Sequence, residues 1–174
     1  MTNLKSLIRN VPDFPKKGIG FKDITTLLKD GSALREAVSA MWRPFQDDGV
    51  QKIAGIESRG FIFGGAMAME QGRGFIPFRK PGKLPAQTIS ESYSLEYGTD
   101  SIEMHVDAVG KGERILVVDD LLATGGTAAA ACRLVEKSGG IVVGVSFLIE
   151  LSFLTGRKKL ADRKISALID YDSE

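Results

Sequence analysis

The residues best suited to chemistry lie in one run, residues 115–127, which reads Ile-Leu-Val-Val-Asp-Asp-Leu-Leu-Ala-Thr-Gly-Gly-Thr. Its first four residues are apolar and three of them are β-branched, which is typical of a buried parallel strand. We expect that strand to end at Asp119 and Asp120, and the four alanines after Thr127 to form a helix. A strand, a glycine-rich turn and a helix N-terminus together predict an anion site, because free N–H groups and the positive end of the helix dipole meet there.

The glycine-rich turn favours a phosphate, whereas the two acids favour a different group. Residues 124–127, Thr-Gly-Gly-Thr, let the backbone wrap closely around a phosphate and add two hydroxyl donors. A bulky side chain at Gly125 is therefore expected to weaken phosphate binding while the fold survives. Asp119 and Asp120 would repel a phosphate, so we expect them to face sugar hydroxyls or a divalent cation. A ligand that carries both a phosphate and a ribose fits this division.

Residues 117–127 resemble the phosphoribosyl pyrophosphate (PRPP) motif of the type I phosphoribosyltransferase family. Further segments, in the same order along the chain, are similar to the adenine phosphoribosyltransferases of that family, and the resemblance covers nearly the whole chain. These segments are residues 12–15, 18–24, 57–61, 79–85 and 93–98. The resemblance implies one domain over residues 1–174, with an α/β fold whose mostly parallel sheet is flanked by helices. It also implies a small N-terminal hood over about residues 1–30 and a flexible lid loop over about residues 79–100.

The same resemblance implies a reaction and its partners. N9 of adenine would displace pyrophosphate from C1′ of PRPP and give AMP, in a Mg²⁺-dependent step of purine salvage catalysed by a homodimer. In the family the transition state is similar to a ribosyl oxocarbenium ion, so the protein would hold the phosphate, neutralise the pyrophosphate and exclude water. Mg²⁺ would be held indirectly, through water, by Asp119 and Asp120.

Two basic segments could bind the pyrophosphate. The turn Glu57-Ser58-Arg59-Gly60 follows a strand, and a fixed guanidinium there makes an anion site, although a surface salt bridge is the alternative. The cationic residues around Pro81-Gly82 form either a solvated basic loop or a lid, and the resemblance favours the lid, with Arg79 reaching across a dimer interface. The residues that the resemblance assigns to PRPP or AMP are Asp119, Asp120, Ala123, Thr124, Gly125, Gly126, Thr127, Ser58, Arg59, Arg79 and Lys83. It also implies a cis peptide bond between Glu57 and Ser58.

The base and its proton are assigned through the resemblance. Glu96 would by itself be a solvated loop residue, but the matching glutamate of the family faces the purine N7 and handles its proton, which makes Glu96 the candidate catalytic residue. Gly20, Phe21 and Lys22 match the segment that recognises adenine, where backbone groups read the base and Phe21 packs on it. Gly20 stands where the family has an aliphatic residue, and Lys22 stands where arginine is usual.

Composition limits the remaining possibilities. The chain has 174 residues, 43% hydrophobic and 26% charged, with a net charge of +1, which suits a globular domain and gives no nucleic-acid footprint. The apolar run Ile141 to Ile149 is far shorter than the ~20 residues that a membrane span needs. The first residues lack the apolar core of a signal peptide, and Cys132 is the single cysteine, so a cytoplasmic protein with a packed thiol is expected. The lone His105 cannot make a His-rich metal site.

The pattern along the chain predicts strands that alternate with helices, and so a mostly parallel sheet. The strands are expected at residues 53–56, 74–78, 115–118, 141–148 and 164–171, with an alternating segment at 101–106 and a loop or hairpin over 79–98. Helices are expected at residues 2–9, at 61–71 and from the alanines after Thr127 to about Ser138. A further helix is expected in a segment that Ser32 caps and that Pro44 ends or kinks.

Two rival functions stay open. The base could be hypoxanthine, guanine or xanthine, whose 6-oxo group would need a lysine donor. Alternatively, the chain could be a PRPP-sensing regulator, although no basic DNA-recognition helix is evident. A nucleotide triphosphatase or a dehydrogenase is disfavoured, because the sequence has no Walker A motif and Gly18-Ile19-Gly20 lacks the third glycine of a dinucleotide fingerprint.

Overall fold

Nine strands and four α-helices make up the computed structural model, which describes residues 3–18, 20–94 and 98–173. The strands are β1 Arg9–Val11, β2 Phe21–Asp23, β3 Lys52–Ile56, β4 Gly74–Phe78, β5 Thr88–Ser94, β6 Thr99–His105, β7 Arg114–Leu122, β8 Ile141–Leu151 and β9 Ile165–Tyr171. The helices are α1 Thr25–Leu28, α2 Gly31–Trp42, α3 Gly60–Glu70 and α4 Gly126–Lys137. Short 3₁₀ helices cover Leu4–Leu7, Arg43–Phe45, Ser152–Leu154 and Gly156–Leu160.

A five-stranded sheet in the order β4-β3-β7-β8-β9 forms the centre, and every neighbouring pair in it is parallel. Helices cover both faces. Ile115 and Val117 pack with α4 and the β5–β6 hairpin on one face, whereas Leu116 and Val118 pack with α2 and α3 on the other. Burial on both faces explains why the middle of β7 is continuously apolar. The predicted fold class and the five predicted strands are confirmed.

The predicted end of β7 is wrong. The strand continues through Asp119 and Asp120 to Leu122, because β8 is long enough to keep pairing with it, and Asp119 lies opposite Phe147. The carboxylates therefore project from a strand that β8 alone still pairs with at this point, since the pairing with β3 ends at Val118, and the turn begins only at Ala123. A sequence window around the two acids carries no information about the length of the partner strand.

The predicted N-cap of α2 is also wrong. Asp30, not Ser32, caps the helix, since its Oδ1 accepts hydrogen bonds of 3.0 Å from the backbone N–H groups of Ser32 and Ala33. The helix ends at Trp42, and Pro44 lies in the 3₁₀ turn that follows. A carboxylate two residues earlier satisfies the free N–H groups and suits the positive end of the helix dipole.

The predicted helix over residues 2–9 is shorter than expected. Leu4–Leu7 forms a 3₁₀ turn, and the chain then enters β1, which pairs antiparallel with β2 and places Asn10 opposite Lys22. β1 and β2 form a separate two-stranded sheet that does not pair with the central sheet within the described residues. Arg9, the last residue of the predicted helix, pairs instead with Asp23 of β2.

The segment after Arg79 contains a hairpin, as one of the two predicted alternatives. β5 and β6 pair antiparallel from Thr88 with His105 to Ser94 with Thr99, and Arg79 bridges to Glu103.

Across the described part of the chain, none of the helices has the length and apolar character that crossing a membrane requires.

Candidate active site

The predicted phosphate turn lies between β7 and α4. Gly125 adopts a φ of 75°, which only glycine adopts easily, and α4 starts at the next residue. The first N–H groups of an α-helix have no partner within it, so the turn and the start of α4 present donors to an anion. The geometry therefore suits the phosphate that the sequence predicts.

A second glycine, which sequence reasoning missed, fixes the shape of this turn. A side chain on Gly125 would collide with the backbone of Gly156, and one on Gly156 would collide with the carbonyl oxygen of Ala123 and with the N–H of Gly125, 2.9 Å away. The expectation that a bulky residue at Gly125 leaves the fold intact is therefore corrected, because it would displace protein backbone as well as a ligand. Gly156 lies 31 positions further along, so no local pattern announces the contact.

The acid pair lies at the carboxyl end of β7, beside the N-terminus of α3. Asp120 is 6% exposed, and Arg59 Nη2 lies 2.9 Å from its Oδ2 in an ion pair that lacks hydrogen-bond geometry. Gly60 lets α3 approach, since a side chain there would lie 2.8 Å from Asp119 Oδ1. Desolvation raises the pKa of both carboxyls, and the charge of Asp120 raises that of Asp119 further. Hydroxyl or cation partners in the cleft would stabilise their charged forms.

A cleft of about 240 Å³ brings these elements together. The side chains that line it come from the ends of β3, β4 and β7, from the turn before α3, from the hairpin and from the start of α4. They are Ile56, Glu57, Ser58, Arg59, Phe78, Lys80, Tyr93, Ile102, Asp119, Asp120, Leu121 and Thr127. The cleft thus joins the predicted residues Ser58, Arg59, Asp119, Asp120 and Thr127. The predicted cis peptide bond between Glu57 and Ser58 is present.

Glu57 binds three groups at the start of the predicted lid. Its carboxylate accepts hydrogen bonds from Arg79 Nε at 3.1 Å, from the backbone N–H of Lys80 at 2.8 Å and from Lys83 Nζ at 2.9 Å. Desolvation alone would raise the pKa of Glu57, but these hydrogen bonds together lower it below the ordinary value. Arg79 and Lys83 are therefore held at the edge of the cleft by a residue of the turn before α3, a role that sequence reasoning missed.

Lys80 and the hairpin form another charged contact inside the cleft. Lys80 Nζ contacts the carboxylate of Asp100 and lies 3.0 Å from the hydroxyl of Tyr93, which in turn donates to Asp100 at 3.1 Å. Tyr93 is 7% exposed and covers this side of the cleft. Asp100 gave no sequence signal, because its partners come from separate segments.

The segment predicted to read adenine approaches the cleft through Phe21. The ring of Phe21 packs edge-on against Phe14, with centroids 5.1 Å apart, and the guanidinium of Arg59 lies 5.2 Å from its centroid. Arg59 thus touches both Phe21 and Asp120. The side chain of Lys22, by contrast, is 7% exposed and donates to Asn10 Oδ1 at 3.0 Å, so only its backbone is available to a base.

The chain matches known proteins over almost its full length. The family profile described as "Phosphoribosyl transferase domain" matches residues 25–168. A protein of Solibacter usitatus (strain Ellin6076) named adenine phosphoribosyltransferase is 56% identical over 172 residues, which cover 99% of each chain. The chain belongs to the adenine phosphoribosyltransferase family. The family predicted from the motifs is therefore confirmed.

Solved structures of this family have the same fold. The crystal structure of adenine phosphoribosyltransferase from Thermoanaerobacter pseudethanolicus is 54% identical, with a TM-score of 0.94 that covers 97% of this chain and 98% of that one. The enzyme from Saccharomyces cerevisiae, complexed with an imino-altritol bisphosphate and adenine, is 37% identical, with a TM-score of 0.90 over 95% and 96% of the two chains.

The acid pair offers oxygen ligands of the kind that a hard cation prefers. Within residues 3–18, 20–94 and 98–173, no group of three or more acidic, histidine or cysteine side chains could hold a metal directly. Asp120 Oδ2 is buried without a hydrogen-bond partner, and Asp119 stands beside it. Two carboxylates with spare acceptor capacity fit a Mg²⁺ held partly through water or through a ligand.

The candidate catalytic residue of the family, Glu96, lies outside the described residues, and its assignment stays a prediction. Its neighbours Ser94 and Gly98 bound the gap at the tip of the β5–β6 hairpin. The carbonyl of Ser94 would lie 3.3 Å from a side chain at Gly126, so this part of the hairpin rests against the start of α4.

Proposed function

We propose that this chain transfers the phosphoribosyl group of PRPP to N9 of adenine and releases pyrophosphate, giving AMP for purine salvage. The observation that carries the proposal is one cleft in which the acid pair, the turn at Arg59 and the start of α4 meet. Each suits one part of PRPP: ribose, pyrophosphate and 5′-phosphate. The proteins named adenine phosphoribosyltransferase, at 54–56% identity, support adenine as the base that accepts this group.

In the proposed complex, the 5′-phosphate lies on the turn formed by Ala123, Thr124, Gly125, Gly126 and Thr127. Backbone N–H groups and two hydroxyls would donate to it, and the dipole of α4 would favour its charge. Asp119 and Asp120 would accept hydrogen bonds from the ribose hydroxyls. Their elevated pKa values mean that bound donors would stabilise the charged carboxylates.

The pyrophosphate is proposed to bind at Ser58 and Arg59, with Arg79 and Lys83 from the lid. Arg59 now faces Asp120, and the two lid cations face Glu57. A pyrophosphate would offer stronger acceptors to all three cations, and charge-assisted hydrogen bonds would fix its orientation. Mg²⁺, bound through water to Asp119 and Asp120, would supply further positive charge for the leaving pyrophosphate.

Adenine is proposed to stack on Phe21 while backbone groups of the segment Gly20, Phe21 and Lys22 read its 6-amino group and N1. Arg59 lies between Phe21 and the acid pair, so base and ribose would sit on adjacent sides of it. Glu96, carried on the lid, would exchange the proton at N7 as N9 attacks C1′. Closure of residues 79–100 over the cleft would exclude water, which would otherwise hydrolyse PRPP.

The proposed enzyme is a single-domain protein that acts as a homodimer in the cytoplasm. Residues 1–30 serve as the hood over the base and residues 79–100 as the lid. Buried Cys132, whose pKa is raised to about 12 by desolvation, is an unreactive core thiol, which suits a reducing compartment.

A base panel tests the proposal. Purified protein is incubated with PRPP, Mg²⁺ and adenine, hypoxanthine, guanine or xanthine in separate reactions, and the nucleotide is measured by chromatography. Adenine should give AMP, and the 6-oxo bases should give at most traces; product from a 6-oxo base alone would favour the rival specificity. The double variant Asp119→Asn/Asp120→Asn should lose product formation. The matched variant Asp47→Asn/Asp48→Asn, in the loop before β3, should keep it.

A further inference from the structure

Lys22 is a buried lysine whose side chain, unlike its backbone, has no role in the proposed chemistry. Its side chain is 7% exposed, and within the described residues it forms no ion pair with a carboxylate. The ammonium donates to Asn10 Oδ1 at 3.0 Å and lies 4.5 Å from the ring centroid of Tyr171. A buried cation needs such compensation, because leaving water without a partner is costly.

Tyr171 is the last residue of β9, so the contact between Lys22 and Tyr171 joins β2 to the central sheet. β9 pairs with β8 up to Leu151 opposite Tyr171, and Ser152 Oγ donates to the carbonyl oxygen of Tyr171 at 3.2 Å. The backbone that carries the ring is therefore held by the central sheet. Among the residues that the structure describes, β2 has one pairing partner, the three-residue strand β1.

Alternation along β2 links Lys22 to the base. Successive side chains of a strand point to opposite faces, so Lys22 points toward Tyr171 while Phe21 lies against Arg59 at the cleft. Anchoring the ammonium would fix the position and rotation of β2, and so the position of Phe21 and of the backbone groups on either side of it.

We propose that Lys22 is a positioning residue for the base, acting through its cation–π contact with Tyr171 and its hydrogen bond to Asn10. The inference rests on the proposed function, since it assigns the segment beside Phe21 to adenine. It predicts an effect on the base that spares PRPP, because in the proposed complex PRPP is held by the acid pair, the turns before α3 and α4 and the lid, and not by β2.

Kinetic variants separate this role from a general loss of structure. Lys22→Met keeps the length and removes the charge, and it should raise the KM for adenine about tenfold with kcat and the KM for PRPP within about twofold. Lys22→Arg keeps a cation over the ring and should restore the adenine KM. Tyr171→Leu should resemble Lys22→Met, whereas Tyr171→Phe, which keeps the ring, should behave as the unaltered protein.

Lys5 supplies a matched control. Its ammonium lies 4.4 Å from the same ring centroid and donates to the carbonyl oxygen of Asp170, but it is exposed and lies outside β2. Lys5→Met removes the same kind of contact from the same ring, and it should leave the KM for adenine within about twofold.

Hydrogen–deuterium exchange tests the inference independently of turnover. The amides of residues 20–23 should exchange faster in Lys22→Met and Tyr171→Leu than in Lys5→Met, while the amides of β7 stay unchanged. Unchanged exchange in residues 20–23, or parallel increases in both KM values, would overturn the inference. Absence of transfer to adenine by the unaltered protein would instead count against the proposed function, and the exchange result would still decide whether Lys22 anchors β2.

Discussion

At the scale of single residues, the cleft is organised by charges that already have partners. Arg59 faces Asp120, and Glu57 holds Arg79 and Lys83. Because these carboxylates hold the cations in place, the cations are positioned before a substrate binds. The phosphate oxygens of the substrate can then replace the carboxylates as their partners. Such preorganisation reduces the rearrangement required during the reaction.

Glu96 provides the sharpest residue-scale prediction. Glutamine keeps the size and a hydrogen bond but cannot exchange a proton, and general acid–base groups typically contribute ~10²–10⁴-fold. We expect Glu96→Gln to lower kcat by about that range with the affinity for PRPP little changed, as measured by steady-state kinetics and by titration with PRPP. Turnover of adenine at the unaltered rate would reduce Glu96 to an ordinary loop residue. Glu103→Gln, on β6 of the same hairpin, is the matched control.

At the scale of elements, the phosphate turn depends on a loop that follows β8. Gly156 lies so close to Ala123 and Gly125 that no side chain fits between the two segments. The turn therefore takes its shape from tertiary contact as well as from its own glycines.

We expect Gly156→Ala to displace the phosphate turn and weaken PRPP binding at least about tenfold, which corresponds to about 1.4 kcal/mol. Isothermal titration with PRPP measures the effect, and circular dichroism verifies that the sheet persists. Gly65→Ala is the control, because a side chain at this α3 position meets nothing within 4 Å. Equal PRPP affinity in folded Gly156→Ala would show that the turn does not need this contact.

Local patterns predicted the elements well and their connections poorly. The β-branched run at Ile115 and the Thr-Gly-Gly-Thr turn carry their own geometry, so β7, the turn and α4 could be anticipated. Other features depend on residues that are distant in sequence. They are the extension of β7 past Asp119, the contact at Gly156 and the hydrogen bond from Lys83 to Glu57. Whether Asp30 or Ser32 caps α2 was a choice between neighbouring polar residues that only the backbone geometry decides.

At the scale of the whole molecule, ion pairs tie separate elements together. Glu91 on β5 accepts from Arg133 Nε at 2.7 Å and also contacts Lys137, both on α4. Hydrogen bonds lower the pKa values of several carboxyls. The backbone N–H of Thr25 is the main cause for Asp23, whose pKa falls to about 2, and the backbone N–H of Gly110 is the main cause for Glu113. Lysine and arginine partners also lower the pKa values of Glu57, Glu91 and Asp100. A lowered folded-state pKa adds stability above the ordinary pKa, and this stability is lost as the pH falls through the folded-state value.

The thermal midpoint should therefore fall as the pH drops below the ordinary glutamate pKa of 4.5. We expect Glu91→Gln to be less stable than the unaltered protein at neutral pH, with a gap that narrows at lower pH because protonation removes the same interaction. Differential scanning calorimetry across this range measures both effects. Asp172→Asn, at an exposed position, should follow the unaltered protein throughout, and a gap that stays constant with pH would contradict the role of the Glu91 charge.

The central claim is that the cleft transfers a phosphoribosyl group to adenine. Phosphorus NMR of one sample containing the protein, PRPP, Mg²⁺ and adenine follows substrate and both products at once. We predict that the PRPP signals disappear while AMP and pyrophosphate rise in equal amounts, and that PRPP stays intact in the same sample without adenine. Loss of PRPP without AMP, or PRPP that persists in the presence of adenine, would contradict the account.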